Sequence, residues 1–304
     1  MRIALTGASG FIGSHICRAL KDRGHVVIAL VRETSRRDHI EPFVDTFVVG
    51  NQDDSGAHSR LLEHAEAVIH NSVDGAAFGS SVGLPPADEW NAHVQGNLVS
   101  SLMLLRASAP RPFVFMSTIA VHHDMRERWG GLIDEDHPMR PKSDYGAYKA
   151  AVESHLWAER FGAEPERHTV AIRPCAVYGI DPDLPRSHGY AIVQALREGG
   201  PFKKPGGGKF VHVEDVAEAT VAALSRPEAG GEPFNLVDCY ARWADWAQIA
   251  CEIMGIRREI DFSSPEQPKN QFSKERVHTR LGVEMNRGHA GIRKHLEELI
   301  RALP

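Results

Sequence analysis

The chain has 304 residues, of which 42% are hydrophobic and 25% charged, a composition typical of a soluble globular protein with a large core. Its formal net charge of −5 argues against a general nucleic-acid binder, and no apolar run is long enough to cross a bilayer. Met1 leads directly into the first predicted strand, and the four cysteines lack metal-type spacing. We therefore expect a cytoplasmic protein with free thiols and no signal peptide.

The first 24 residues contain a glycine motif between a strand and a helix. Arg2–Thr6 is apolar and predicts a buried strand, and a helical pattern follows over residues 11–23. Gly7, Gly10 and Gly13 lie between them at G-x-x-G-x-x-G spacing. Such glycines allow a tight turn, a close approach of backbone N–H groups to phosphates, and close packing of helix on strand. The motif predicts a dinucleotide site at the helix N-terminus.

The residues after the second predicted strand, Val26–Val31, bear on the choice of cofactor. An acidic residue there would bind the ribose hydroxyl of NAD, whereas arginine accommodates the 2′-phosphate of NADP. The chain has Arg32, Arg36 and Arg37, but Glu33 could still reach a ribose, and a solvated charged turn is the plain alternative. We favour NADP(H) and keep NAD(H) open.

Further strands are predicted at 47–49, Ala67–His70, Phe113–Met116 and 168–173, with helices at 59–64, 90–108 and 145–162. Ligands bind outside the carboxyl ends of parallel strands. Asn51 and Gln52 follow the third strand, and Ser72 lies in the Gly-, Ser- and Pro-rich loop 71–88 after the fourth, so we expect all three near the cofactor. A second long loop is predicted over 119–142.

The C-terminal part is richer in proline and glycine and predicts a smaller lobe. Its elements are expected at 191–199, 209–213, 214–225, 234–237, Trp243–Met254 and 292–303. We predict an α/β fold, with a doubly wound parallel sheet in residues 1–175 that includes interleaved elements at about 209–240. Residues 176–304 mainly form the substrate-binding lobe. Lys203, Lys204 and Lys209 could bind an anionic substrate, although a solvated loop explains them equally well.

Tyr145 and Lys149 are four residues apart and fall on one face of the predicted helix. An ammonium beside a phenol favours the phenolate, so the lysine would lower the tyrosine pKa. Thr118 follows the fifth strand and offers a hydroxyl to polarise a reacting oxygen. The alternative is an amphipathic helix start, because Y-x-x-x-K is common by chance. Combined with the glycine motif, the pattern favours proton transfer coupled to a nicotinamide.

These residues resemble those of the extended short-chain dehydrogenase/reductases, the NAD-dependent epimerase/dehydratase group. Thr6–Gly13, TGASGFIG, is similar to the family's cofactor signature, which implies cofactor contacts at Ser9, Phe11 and Ile12. Asn97 lies in a segment similar to the active-site asparagine helix, and Thr118, Tyr145 and Lys149 match the catalytic set. Arg173 begins a segment similar to the entry into the substrate lobe, and we expect Arg173, like Tyr145 and Lys149, to contact the cofactor. The resemblance implies a Rossmann-type sheet.

The resemblance also implies an activity. We expect an NAD(P)-dependent oxidoreductase that transfers hydride at a hydroxyl or ketone carbon of a nucleotide-sugar or similar carbonyl substrate. A nucleotide-sugar epimerase that retains its cofactor and a non-catalytic NADP(H) sensor are the alternatives. Family dehydratases carry an Asp-Glu pair after the threonine, where this chain has Ile119 and Ala120, which argues against dehydration.

Two further expectations concern partners and metals. By analogy with the family, a homodimer would pair helices 90–108 and 145–162. The chain has seventeen histidines, of which His122 and His123 form the densest group, but neighbouring residues point apart on an extended segment. We expect no metal site, no nucleic acid and no membrane partner.

Overall fold

The computed structural model describes residues 1–74, 87–123 and 131–303. The strands in these ranges are β1 (Arg2–Thr6), β2 (Val26–Val31), β3 (Thr46–Val49), β4 (Ala67–His70), β5 (Phe113–Met116), β6 (Leu132–Ile133), β7 (Thr169–Pro174), β8 (Ala176–Tyr178), β9 (Gly207–His212), β10 (Pro233–Leu236), β11 (Cys239–Arg242) and β12 (Gln271–Phe272). The α-helices are α1 (Phe11–Asp22), α2 (Ser55–Leu62), α3 (Ala87–His93), α4 (Ser100–Ala107), α5 (Asp144–Phe161), α6 (Tyr190–Glu198), α7 (Val213–Ser225), α8 (Trp243–Met254) and α9 (Gly288–Ala302).

Seven strands form the central sheet in the order β10-β7-β5-β4-β1-β2-β3, and all six pairings are parallel. The chain runs from β1 outward to β3 and then returns to the other side of β1 with β4. The strand order therefore reverses between β1 and β4, which is where open parallel sheets bind ligands. The strands are almost entirely buried because helices cover both faces of the sheet.

Two hydrophobic cores lie on opposite faces of this sheet. Helices α1 and α7 pack on one face, through residues such as Leu20 and Val216. Helices α2, α4 and α5 cover the other, through residues such as Leu104 and Val152. A third core, centred on Trp246, joins α6, α8 and α9 to the small sheet β11-β9-β8.

The structure changes several predicted boundaries. Helix α2 begins at Ser55 rather than Ser59, because the Asp54 side chain caps it by accepting a hydrogen bond from the Gly56 N–H. The predicted helix 90–108 is interrupted by a π-helical turn at Val94–Val99. Helix α9 begins four residues earlier than predicted, at Gly288. Strands β8, β11 and β12 were not predicted, and β9 pairs in the small sheet rather than the large one.

Residues 119–142 are not simply a loop. A short 3₁₀ helix spans Ile119–His122, and β6 pairs in parallel with β12. The predicted loop 71–88 falls largely outside the described residues. The division of the chain near residue 175 remains a prediction.

Candidate functional site

The glycine turn forms the floor of the candidate nucleotide site. Gly7 has φ +69°, and a Cβ on Gly13 would lie 1.9 Å from the Gly7 carbonyl oxygen, so neither position accepts a side chain without movement of the backbone. Gly10 is exposed, and a Cβ there would meet only that same oxygen, at 3.4 Å. Helix α1 has no side-chain cap and no acidic residue in its first turn. Its N-terminus is therefore suited to bind an anion.

The other residues predicted from the signature lie in this same turn. Ser9, Phe11 and Ile12 are partly exposed, and the imidazole of His39 hydrogen-bonds the Ser9 carbonyl at 3.1 Å. This contact ties the segment after β2 to the turn. Sequence reasoning missed His39, because the segment between Arg32 and the next strand has no regular pattern.

A buried hydrogen-bonded chain connects the turn to Asn97. Thr6 Oγ1 accepts hydrogen bonds from the backbone N–H groups of residues 71 and 72, so its own proton is available to His70 Nδ1 at 2.7 Å. His70 Nε2 then donates to Ser101 Oγ at 2.8 Å, and Ser101 Oγ donates to the Asn97 carbonyl. Burial and the nearby Lys149 lower the pKa of His70 to about 3, which keeps this imidazole neutral. Sequence reasoning did not single out His70, although a histidine at the end of the otherwise apolar strand β4 was an available signal for a buried polar role.

Asn97 lies in the π-helical turn between α3 and α4. Its side chain accepts a hydrogen bond from the Asp74 N–H at 2.7 Å and donates to the Asp74 carbonyl at 3.3 Å. Asn97 also contacts the His93 imidazole. The side chain thus fixes the segment after β4, and π-helical turns are common at functional sites. The contacts found for the Asn97 side chain are with this segment and with His93, and none is with Tyr145.

Thr118, Tyr145 and Lys149 are close together beyond the carboxyl end of β5. The Thr118 hydroxyl lies near enough to the Tyr145 phenol to lower its pKa by hydrogen bonding, and Thr118 Oγ1 accepts from the Ala120 N–H at 3.1 Å. Gly146 makes this approach possible, because a Cβ there would lie 2.7 Å from the Ala120 carbonyl oxygen. Helix α5 can therefore pack directly against the 3₁₀ turn that carries the threonine.

Lys149 is fully enclosed. Its Nζ donates to the Met116 carbonyl and lies 4.5 Å from the Phe115 ring centroid, 5.9 Å from that of Tyr145 and 5.1 Å from that of Tyr148. Burial lowers the pKa of Lys149 to about 7, against the opposing attraction of Glu153.

The expectation that Lys149 lowers the pKa of Tyr145 is wrong for this structure. Burial raises the pKa of the Tyr145 phenol, and the opposing hydrogen bond from Thr118 does not overcome it. The lysine is itself desolvated, and its ammonium donates to a carbonyl instead of the phenol. Tyr145 is therefore a protonated phenol here, able to donate a proton.

The residues predicted to select the cofactor differ in their partners. Arg36 is paired with Asp38 at 3.1 Å, and Arg37 lies over the Phe47 ring. Arg32 is exposed, and its guanidinium has no partner among the described residues. Glu33 is also exposed, beside it in the chain.

Asn51 and Gln52, which follow β3 and were predicted to lie near the cofactor, have different environments. Asn51 is exposed, whereas the Gln52 amide is held in place by accepting from Ser72 Oγ at 2.6 Å and donating to the Gly96 carbonyl. Gln52 and Ser72 thus connect the segments after β3 and β4 at the switch point. A Cβ on Gly7 would also lie 2.8 Å from the Ser72 backbone, so the glycine turn and this segment are in direct contact.

Arg173 has other partners than those predicted for it. Its Nε and Nη2 bind the Glu153 carboxylate at 2.6–3.1 Å, and its remaining N–H groups reach His122, the Glu135 carbonyl and Met139. All five donors are used inside the protein, so none remains for a cofactor phosphate. We therefore reassign Arg173 to a buried ion pair. Ser117 donates to the same carboxylate from the end of β5.

His122, the first residue of the histidine pair, has partners within the protein. His122 contacts Arg173 through Nε2, and burial, with a further effect of Arg173, lowers the pKa of His122 to about 3. In residues 1–74, 87–123 and 131–303, no three His, Cys, Asp or Glu side chains are grouped to hold a metal ion. No helix in those ranges is long and apolar enough to cross a membrane.

A parallel sheet with a glycine turn at its switch point defines a Rossmann-type nucleotide-binding fold, as predicted from the sequence. The sequence model of the "NAD dependent epimerase/dehydratase family" matches residues 3–236. The chain belongs to this family, which confirms the resemblance.

Similar proteins include reductases and epimerases. The "4-hydroxy-2-methyl-3-oxo-4-farnesyl-3,4-dihydroquinoline-1-oxide ketoreductase" of Stigmatella aurantiaca is 28% identical over 269 residues, which cover 86% of this chain and 75% of that protein. The "UDP-glucose 4-epimerase" of Klebsiella pneumoniae is 33% identical over 133 residues, 41% of this chain and 94% of that protein. A crystal structure of "UDP-galactose 4-epimerase" has a TM-score of 0.78 at 26% identity, covering 100% of both chains. These similarities support an NAD-dependent oxidoreductase or epimerase.

Proposed function

We propose that this protein is an NADP(H)-preferring oxidoreductase that interconverts a ketone and a secondary alcohol. The observation that carries the proposal is the convergence of Thr118, Tyr145 and Lys149 beyond the carboxyl end of β5, where Lys149 Nζ lies 5.9 Å from the Tyr145 ring centroid and donates to the Met116 carbonyl. The Tyr145 phenol holds a proton in this environment, as the acid of a reduction requires. The same groups can run the reverse oxidation once the phenol has lost its proton.

The chain's residues fit a dinucleotide. Gly7 and Gly13 let the turn close on backbone that a Cβ would overlap, Gly10 leaves the turn open to solvent, and the uncapped N-terminus of α1 offers N–H groups to a pyrophosphate. A bound nicotinamide dinucleotide supplies or accepts the hydride. Tyr145 donates its proton to the substrate oxygen, and Thr118 donates a hydrogen bond to the same oxygen. The Lys149 ammonium, 5.9 Å from the Tyr145 ring centroid, would stabilise the phenolate that this proton transfer leaves.

The test is NADPH oxidation with a panel of ketones, in the wild type and two phenol variants. Tyr145→Phe should lower kcat by about 10²- to 10⁴-fold, the usual contribution of a general acid. Tyr148→Phe is the matched control, because Tyr148 is buried nearby and its hydroxyl has no hydrogen-bond partner among the described residues. Full activity of Tyr145→Phe would refute the assignment of the phenol, whereas a wild type that binds NADPH but turns over no ketone would favour a non-catalytic NADP(H) sensor.

An epimerase is the second candidate, because relatives of this chain are named as epimerases. Stoichiometric NADPH consumption indicates a reductase, whereas turnover of a nucleotide sugar without net consumption indicates an epimerase. Dehydration is not proposed, because Ile119 and Ala120 follow Thr118 and offer no carboxyl to protonate a leaving hydroxyl.

The proposed preference for NADP(H) rests on Arg32, which is exposed and whose guanidinium has no partner among the described residues. Arg32→Ala should weaken NADPH binding about tenfold, or ~1.4 kcal/mol, and leave NADH binding nearly unchanged. Calorimetric titration with both cofactors measures the difference. Equal losses for the two would contradict the preference.

We also propose a homodimer through the outer faces of α3, α4 and α5. Trp90, Met103 and Phe161 are exposed on these helices. Met103→Glu should shift the mass measured by light scattering from dimer to monomer. Leu132→Glu, a change at an exposed residue of β6, should not. A monomeric wild type would overturn this proposal.

A further inference from the structure

The small sheet turns one face towards the large domain. In β8 and β9, Ala176 pairs with Phe210 and Val177 with Val211. Phe210 packs in the core of the smaller lobe, whereas Val177 and Val211 pack in a core of the large sheet. Side chains alternate between the faces of a strand, so Lys209, two residues before Val211, lies on the face turned to the large domain.

Contacts connect Lys209 to the candidate catalytic residues. Its Nζ lies 5.6 Å from the Phe272 ring centroid, and its charge acts on the Cys175 thiol directly after β7. Phe272 forms a small cluster with Ile133 and Val237, and both Cys175 and Ile119 pack against that cluster. Ile119 follows Thr118 in the chain. Phe272 beside the lysine ammonium and Ile119 beside the threonine thus belong to one apolar cluster, which we call the apolar wall.

Lys209 is a half-buried cation without a counter-ion. It has no hydrogen-bond acceptor or carboxylate among the described residues, and burial lowers its pKa. Arg242, on the same face of the sheet, is by contrast bound by the Asp245 carboxylate. Lys274 is paired with Asp238 at 3.0 Å. Leaving a partly desolvated charge unpaired is costly, and a ligand that supplies an anion removes that cost.

We propose that Lys209 binds a carboxylate on the substrate, so that the protein acts on an oxo acid or hydroxy acid. The inference rests on the proposed oxidoreductase function and deepens it. The Lys209 ammonium, which has no carboxylate partner among the described residues, matches one negative charge, whereas the diphosphate of a nucleotide sugar carries more than one. The apolar wall of Ile119 and Phe272 suits a carbon skeleton between the carboxylate and the reacting carbonyl. The geometry thus favours a reductase of carboxylated ketones over a nucleotide-sugar epimerase.

The test compares oxo acids of increasing chain length with their methyl esters as substrates for NADPH oxidation. The wild type should prefer the best acid to its ester. Lys209→Met should lower kcat/KM for that acid about 10- to 100-fold, mainly through KM, and leave the ester unchanged. Lys209→Arg should retain most of the preference. Lys203→Met is the matched control, because Lys203 is exposed and faces Glu259 at 3.8 Å.

Binding is measured separately from turnover. The same acids are titrated by calorimetry into the complex of Tyr145→Phe with NADP⁺, with and without Lys209→Met, so failure of the catalytic assignment does not hide the subsite. Acid binding that weakens at least about tenfold with Lys209→Met supports the proposal. The proposal would be overturned if no acid binds, or if Lys209→Met weakens the binding of acid and ester equally. It would also be overturned if UDP-glucose binds instead and its binding depends on Lys209.

Discussion

The buried ion pair of Glu153 and Arg173 allows a direct test of what holds the structure around the site together. Glu153 lies one helical turn after Lys149 and is 0% exposed, and Arg173 is 2% exposed. The carboxylate accepts from Arg173 Nε and Nη2 and from Ser117. Glu153→Gln keeps the size of the side chain but leaves the guanidinium buried without its counter-ion. Such a loss costs about 3–5 kcal/mol.

This loss is measured by urea unfolding, followed through tryptophan fluorescence. The matched control is Glu252→Gln, because Glu252 pairs with Arg293 at the surface, with 44% and 43% of the side chains exposed. That change should cost no more than about 1 kcal/mol. Replacing both buried partners, Glu153→Met with Arg173→Met, should recover much of the lost stability, because no uncompensated charge remains.

Two outcomes would refute this reasoning. One is a loss of less than about 1 kcal/mol in Glu153→Gln, which would mean that Arg173 finds another partner or water. The other is a double variant no more stable than the single one. The single variant Glu153→Gln also reports on the site, because the Glu153 carboxylate raises the pKa of Lys149. Its removal should shift the lysine's titration to lower pH in the activity profile.

Two further predictions concern the glycine turn and the buried lysine. Gly13→Ala should abolish NADPH binding measured by calorimetry and lower the free energy of unfolding in urea by about 1–3 kcal/mol, because its Cβ would meet backbone. Gly10→Ala is the control and should cost less in both measurements. Equal losses for the two variants would contradict this reasoning. Lys149 has a pKa of about 7 in the folded protein against 10.5 as reference. Between these pH values the unfolded chain binds more protons than the folded protein. The free energy of unfolding of the wild type, relative to that of Lys149→Met, should therefore rise by up to about 1.4 kcal/mol per pH unit. A difference that does not change with pH would contradict the enclosure of the lysine.

The nucleotide site was predictable because its determinants are close together in the sequence. Gly7 and Gly13 are six residues apart, and the contact that excludes a Cβ joins those two residues directly. Tyr145 and Lys149 are likewise placed by the helix period alone. The strands were recognisable because a sheet buried on both faces needs continuous apolar runs.

Other features depend on contacts that no local pattern contains. Leu98, Leu102 and Leu105 have the spacing of a regular helix up to the end of the π-helical turn at Val94–Val99 and beyond it, so periodicity predicted one helix across the turn. Arg173 was associated with the cofactor through its segment, but the partners of its guanidinium come from α5, the 3₁₀ turn and residues 135–139. The sequence shows that an arginine is present and cannot show which carboxylate it meets.

The same distinction explains why the class of this protein is easier to establish than its substrate. Thr118, Tyr145 and Lys149 lie on elements whose positions the central sheet determines, so one fold places them in every member that keeps these residues. The register between β8 and β9 turns Lys209 towards the large domain, and among the described residues it has no carboxylate partner, whereas Arg242 and Lys274 each have one. Substrate recognition therefore depends on which charge the fold leaves unpaired, a property of the packed lobe rather than of a motif.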